Sequence, residues 1–119
     1  MDQFFYGTTL DIKTPLATFE NETNIEENLY NAQKLTIKRI ILDPSAKENE
    51  FNIIEAETLN CDSENIRIPI AILKAGETRM LKPNIEFPNK TVSFKLIKGN
   101  GPVHIYGNVA TESSWLQDD

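Results

Sequence analysis

The chain holds one histidine, His104, and one cysteine, Cys61. A thiolate and an imidazole can serve as nucleophile and base, but no local signature joins these two. His104 alternates with Val103 and Ile105, so in a strand it faces away from them and reads as a structural or surface histidine. A structural zinc site takes a full set of Cys and His ligands, which one of each cannot supply. Asp62-Ser63-Glu64 is acidic but lacks the spaced ligands and central glycine of a calcium loop. Gly99-Asn100-Gly101 lacks the third glycine and the following helix of a phosphate-cradling turn, and Pro102 follows at once. Asn21-Glu22-Thr23 and Asn89-Lys90-Thr91 match the glycosylation acceptor pattern. Met1 to Tyr6 carries no basic region and no long apolar core, so no secretory signal is expected and the two matches read as chance. The residues point to a non-enzyme without metal or cofactor.

One constellation remains: Glu20, Glu22, Glu26 and Glu27, with no base between Lys13 and Lys34. The net charge is −6, and it is unevenly placed. Residues 1–33 carry −5, residues 34–110 carry +2 and residues 111–119 carry −3. Nucleic acid is an unsuitable partner, because phosphate contacts need clustered Lys and Arg. A basic partner fits better. One short acidic loop binds weakly, but a symmetric oligomer would multiply it into a multivalent anionic surface.

The elements that position these residues are short strands. Phe4–Leu10, Leu16–Phe19, Lys34–Leu42, Phe51–Leu59, Ile66–Leu73, Ile85–Phe87, Thr91–Ile97 and Val103–Tyr106 are rich in β-branched and aromatic residues and are separated by turn signals. In Lys34–Leu42, Leu35 and Ile37 share one face whereas Ile40 and Leu42 fall on the opposite parity, which predicts a bulge near Lys38-Arg39. Ile66, Ile68, Ile70 and Ile72 line one face of their strand and Arg67, Pro69, Ala71 and Leu73 the other. That second face is apolar enough to suggest a subunit contact. Residues 20–28 read as an exposed loop. Gly99-Asn100-Gly101-Pro102 reads as the turn between the last two strands, since Gly tolerates φ > 0 and Pro fits a strand's first residue. No apolar pattern holds a helical period. The length of 119 residues suits one domain, expected as a core over 1–110 and a short disordered acidic tail over 111–119 that bears Trp115. An all-β sandwich or jelly roll follows. No run of about 18 apolar residues exists to suggest a membrane-spanning helix, and a single cysteine fits a reducing compartment.

Four stretches in order resemble the nucleoplasmin and nucleophosmin family of histone chaperones, most nearly its invertebrate nucleoplasmin-like members. Phe5-Tyr6-Gly7-Thr8-Thr9-Leu10 is similar to the family's first strand, and Ala46-Lys47-Glu48-Asn49-Glu50-Phe51 to its Ala-Lys-Asp-Glu loop. Ile54-Glu55-Ala56-Glu57 with Ile68 to Lys74 resembles its central strands. Lys98-Gly99-Asn100-Gly101-Pro102-Val103-His104-Ile105 resembles its Gly-Ser-Gly-Pro-Val-His-Ile signature. The resemblance implies an eight-stranded jelly roll in a ring-shaped homopentamer, two of which can stack into a decamer through the loop that here is Ala46, Lys47, Glu48, Asn49 and Glu50. That loop has one residue more than the family's. It implies a nuclear, non-catalytic histone chaperone in chromatin assembly or remodelling, with core histones bound at the acidic loop of Glu20, Glu22, Glu26 and Glu27. It makes Gly99, Gly101, Pro102, Val103, His104 and Ile105 a structural signature turn. A longer acidic tract and a basic localisation signal follow the core in the family. The alternative reading is a glycan- or ligand-binding jelly-roll module.

Overall fold

Period-two alternation of apolar and polar residues puts one face of each strand inward, and the resulting strands stack as two sheets. The computed structural model describes residues 2–21, 24–26 and 29–115, without the side chains of 22–30 and 113–115. Ten strands occur among the described residues: β1 (Asp2–Leu10), β2 (Leu16–Phe19), β3 (Asn24–Glu26), β4 (Leu29–Leu42), β5 (Phe51–Leu59), β6 (Asn65–Lys74), β7 (Met80–Leu81), β8 (Ile85–Pro88), β9 (Val92–Lys98) and β10 (Val103–Trp115). One sheet has the order β1-β10-β4-β3, with β7 and β8 also paired to β4; the other runs β2-β9-β5-β6. Every pairing between named strands is antiparallel. Eight longer strands carry the sandwich, and β3 and β7 are short additions to β4.

The core lies between the sheets. Leu35, Ile37, Ile40 and Leu42 of β4 meet Ile54, Phe94 and Leu73, all essentially inaccessible to solvent. Phe94 packs edge-on against Phe87, with ring centroids 5.9 Å apart. At the edge where β1 overlies β2, Tyr6 meets Phe19 in the same T-shaped way at 5.7 Å.

The expected bulge is present. Tyr106 pairs with Arg39 and Gly107 with Ile37, so Lys38 is the extra residue. It restores an inward direction to Ile40 and Leu42. Gly107 sits opposite, and a Cβ there would collide with the Thr36 carbonyl of β4.

Four expectations need correction. Residues 20–28 are not a plain loop: β3 pairs with β4 through Asn24↔Asn31, Ile25↔Tyr30 and Glu26↔Leu29. The strand after it begins at Leu29 and not at Lys34. The two faces of β6 are also reassigned. Ile54 pairs with Ala71 and Glu55 with Pro69, so Ile70 bulges. Ala71 and Leu73 therefore enter the core, and it is Ile72, at 54% exposure, that faces outward with Arg67 and Pro69. Lastly, β10 runs past residue 110 to Trp115, because β4 offers it a partner as far as Leu29. Residues 116–119 lie outside the described residues.

Candidate interaction surface

The two ends of the sandwich differ in how their charged residues are held. At one end stand the loop after β4, the turn before β10 and the start of β5. Gly99 has φ 92° and Gly101 φ 65°, and the Gly101-Pro102 peptide is cis. A Cβ on Gly99 would collide with the Asn52 side chain and the Phe51 carbonyl; one on Gly101 would lie 2.6 Å from the Leu10 carbonyl oxygen. Asn52 is fully buried. Its Oδ1 accepts from the Gly101 N–H at 2.8 Å, and its Nδ2 donates to the Glu50 carbonyl at 3.2 Å. The Glu50 carboxylate in turn accepts from the Asn100 N–H at 2.8 Å and from Asn100 Nδ2 at 3.3 Å. The segment Ala46 to Glu50 is thus one unit with the Gly99–Pro102 turn. Within that segment Ala46 is buried, Lys47, Glu48 and Asn49 are exposed, and Glu48 accepts from Arg79 at 3.0 Å.

His104 belongs to the same end. Val103 and Ile105 are buried and His104 points outward. Its Nε2 lies 2.7 Å from Asp43 Oδ1 and its Nδ1 2.8 Å from the Thr9 hydroxyl. The ionised Asp43 only accepts, so Nε2 donates to it, and in the neutral ring Nδ1 accepts from Thr9. Asp43 also accepts from the Ser45 hydroxyl at 2.5 Å and from the Ser45 N–H at 2.9 Å. These bonds, the Ser45 hydroxyl first and His104 next, hold the Asp43 carboxyl down at about 2. His104 thereby ties β1, β10 and the loop after β4 together. Cys61 is exposed in the turn after β5, at the opposite end of the sandwich.

The acidic residues occupy that opposite end. Glu20 directly follows β2 and Glu26 ends β3; Glu22 and Glu27 lie outside the described residues, as does the side chain of Glu26. Asn21 fastens the start of this segment: its N–H donates to the Thr91 hydroxyl at 3.0 Å and its Nδ2 to the Gln33 carbonyl at 3.0 Å. Past Gln33, β4 and β10 continue together to Leu29 and Trp115. Glu112 pairs in register with Ala32, and Asp2 with Thr111. Glu20 and the backbone of Glu26, far in sequence from Glu112, therefore lie at the same end of the sandwich as Glu112. No sequence pattern announces that register. Among the described residues Asp2, Glu20 and Glu112 carry no ion pair, whereas Lys34–Glu86 (2.7 Å), Arg67–Glu57 (3.4 Å), Arg79–Glu48 (3.0 Å) and Lys74–Glu77 (3.7 Å) are paired. The Lys34 ammonium also lowers the Glu86 carboxyl below its ordinary range.

The structure thus joins the loop of residues 46–50 to the signature turn and separates both from the acidic segment. Sequence reasoning missed Asn52 and Gly107. A polar residue at a buried period-two position and a glycine inside a strand were the available signals.

The family model described as the nucleoplasmin/nucleophosmin domain matches residues 3–113. The chain is 46% identical over 107 residues to the nucleoplasmin-like protein of Drosophila melanogaster, covering 90% of this chain and 66% of that protein. It is 33% identical to mitotic apparatus protein p62 of Lytechinus pictus, covering 98% and 29% of the two chains. Identity to human nucleoplasmin-3 is 34%, over 90% and 57%. The chain thus spans less than two thirds of these relatives' lengths. A crystal structure of the Drosophila NLP-core, reported as giving insight into pentamer formation and histone binding, superposes with a TM-score of 0.78 at 44% identity, over 99% of this chain and all of that one.

Proposed function

The chain belongs to the nucleoplasmin/nucleophosmin family, and from that premise we propose that it is the core of a nuclear histone chaperone. It assembles as a ring of five and binds core histones without catalysis, keeping them soluble for chromatin assembly or remodelling. The observation that carries the reading is the acidity at one end of the sandwich, where Glu20 and Glu112 carry no ion pair among the described residues and Glu26 ends the strand beside β4. Five copies at −6 each carry about −30, a field that draws in basic proteins and competes with DNA phosphate for their charge. Glu20, Glu22, Glu26 and Glu27 form the histone-facing surface. The exposed Lys47, Glu48 and Asn49 are the part of the 46–50 loop available to a second stacked ring, while Ala46 and Glu50 are committed inward.

Light scattering on the purified chain with and without core histones tests this. Five or ten chains per particle, with histone binding that weakens steeply as salt rises, is the expected result, since exposed charges are screened beyond roughly 8–10 Å at physiological salt. A monomer at micromolar concentration contradicts the ring, and salt-independent histone binding contradicts the acidic surface.

A further inference from the structure

The chain as a whole carries −6, yet one broad face runs against that sign. The outer face of the β1-β10-β4 sheet is hollowed into a polar groove of about 320 Å³, lined by both Lys34 and Lys38 of β4. Small side chains make its floor: Thr36 of β4 lies in register with Asn108 of β10, and Lys34 with Ala110. Gln3 of β1 pairs with Ala110 on one side, and Glu86 of β8 pairs with Thr36 on the other. Asn84, just before β8, completes the lining. β10 and β4 lie between β1 and β8, so the floor stands one strand in from either edge.

The groove is rich in donors and poor in acceptors. The side chains of Gln3, Thr36, Lys38, Asn84 and Asn108 make no hydrogen bond or ion pair among the described residues, and each can donate. The one carboxylate present is drawn to the amines. Glu86 Oε2 lies 2.7 Å from Lys34 Nζ, and Lys38 adds to Lys34 in holding that carboxyl below its ordinary range. Glu86 thus shows the chemistry that the groove accepts, and it leaves Lys38 open. Lys34 and Lys38 are at most about 13 Å apart along the strand, at roughly 3.3 Å per residue. An extended peptide laid along β4 repeats its side chains on one face every second residue, so carboxylates four positions apart reach both amines. The positive stretch is short. Glu112 follows Ala110 on the same face of β10, beside Ala32, and repels any ligand that carries negative charge past Lys34. A short acidic run fits these limits, whereas a nucleic acid duplex, charged along its whole length, does not.

We propose that this groove is a second interaction surface, which takes a short acidic peptide segment of a partner in extended form. Its carboxylates lie on Lys34 and Lys38, with its backbone within reach of the Gln3, Asn84 and Asn108 amides. This partner is opposite in charge to one drawn to the acidic end, so one copy holds both at once. The assignment depends neither on the ring nor on histone binding.

Fluorescence anisotropy with a labelled penta-glutamate peptide tests it, beside a glutamine peptide of the same length and a labelled DNA duplex. The glutamate peptide should bind the unmutated chain at low salt and weaken as salt rises. Lys38→Glu should lower its affinity by about tenfold or more, through loss of a charge-assisted hydrogen bond. Asn108→Glu puts a carboxylate of the chain's own beside Thr36 and should do the same with both lysines intact. Circular dichroism and particle mass verify that each variant folds and assembles like the unmutated chain, and histone binding should persist in both. The proposal is overturned if the glutamate peptide does not bind, or if it binds the folded variants as tightly as the unmutated chain. It is equally overturned if the glutamine peptide or the duplex binds as tightly as the glutamate peptide, or if the variants lose histone binding.

Discussion

Glutamate does opposite work at the two ends of this molecule. Glu50, beside the Gly99–Pro102 turn, spends both carboxylate oxygens on Asn100, and its backbone carbonyl is bound by buried Asn52. Glu20, at the far end, has no ion pair among the described residues and stands in a segment tied down through Asn21. Charge at the turn end is consumed in fixing geometry. At the ribbon end the described carboxylates of Glu20 and Glu112 carry no ion pair, and only uncompensated charge produces a field that reaches a partner. A binding surface of that kind tolerates imprecise placement, whereas the turn does not. The contrast predicts that substitutions at one end damage the fold and substitutions at the other damage binding.

The largest effect is expected from Gly101→Val. A β-branched residue at φ 65° is strained, and its Cβ would meet the Leu10 carbonyl oxygen at 2.6 Å. The combined cost is about 3 kcal/mol or more, seen as a large fall in the urea midpoint and loss of assembly. Histone binding should fall only as a consequence. Normal assembly with selectively lost binding would break the division between the two ends.

Asn52→Leu should come next. It keeps the volume but leaves the Gly101 N–H without its acceptor and the Glu50 carbonyl without its donor. A buried unsatisfied group costs about 1–3 kcal/mol, measurable by urea unfolding. A change under about 0.5 kcal/mol, the range of an ordinary surface substitution, would mean that the turn holds itself and the asparagine is incidental.

The third prediction concerns the ribbon end. Replacing Glu20, Glu22, Glu26 and Glu27 together by Gln should leave the urea midpoint nearly unchanged, within about 0.5 kcal/mol. Histone affinity at low salt should drop by about fourfold or more, taking roughly 0.2–1 kcal/mol for each exposed charge. The difference from the unmutated chain should shrink as salt rises. Titration of labelled histones at two salt concentrations checks it. A loss that persists at high salt would assign these residues a shaped contact in place of a field.

How far this division was legible in the sequence depends on the kind of information each feature needs. The bulge at Lys38 was readable because apolar parity itself slips between Ile37 and Ile40. The bulge at Ile70 was not, because isoleucines continue at 66, 68, 70 and 72 whichever way the backbone turns. Only pairing with β5 reveals that Ala71 and Leu73 go inward. β3 was hidden for a related reason: Asn24-Ile25-Glu26 has one apolar residue, and its strand character comes from lying beside β4. The turn glycines were visible as local chemistry, but Asn52, their buried partner, lies far upstream and reads as an ordinary polar residue. The acidic segment was plain as composition. That Glu112 lies at the same end was not, because that depends on the register of β10 on β4.

The smallest effect is the pH dependence of the turn end. Asp43 sits at about 2, below its ordinary 3.8, held there by the Ser45 hydroxyl and His104. A carboxyl with a depressed folded value contributes stability that is fully present above its unfolded value and is lost as pH falls toward the folded one. The window is therefore from about pH 4 down to about pH 2. Glu86, lowered by Lys34, adds in the same direction. The urea midpoint of the unmutated chain should fall through that window, and Asp43→Asn should flatten part of the fall while lowering the midpoint at neutral pH. Asp43→Asn keeps one oxygen for the His104 Nε2–H but puts an NH2 group in place of the Oδ2 that accepts from Ser45, so the loss at neutral pH should accompany the flattening. An unchanged slope in Asp43→Asn would place the acid sensitivity outside the Asp43–His104 contact and would count against carboxylates at this end acting as geometric clamps.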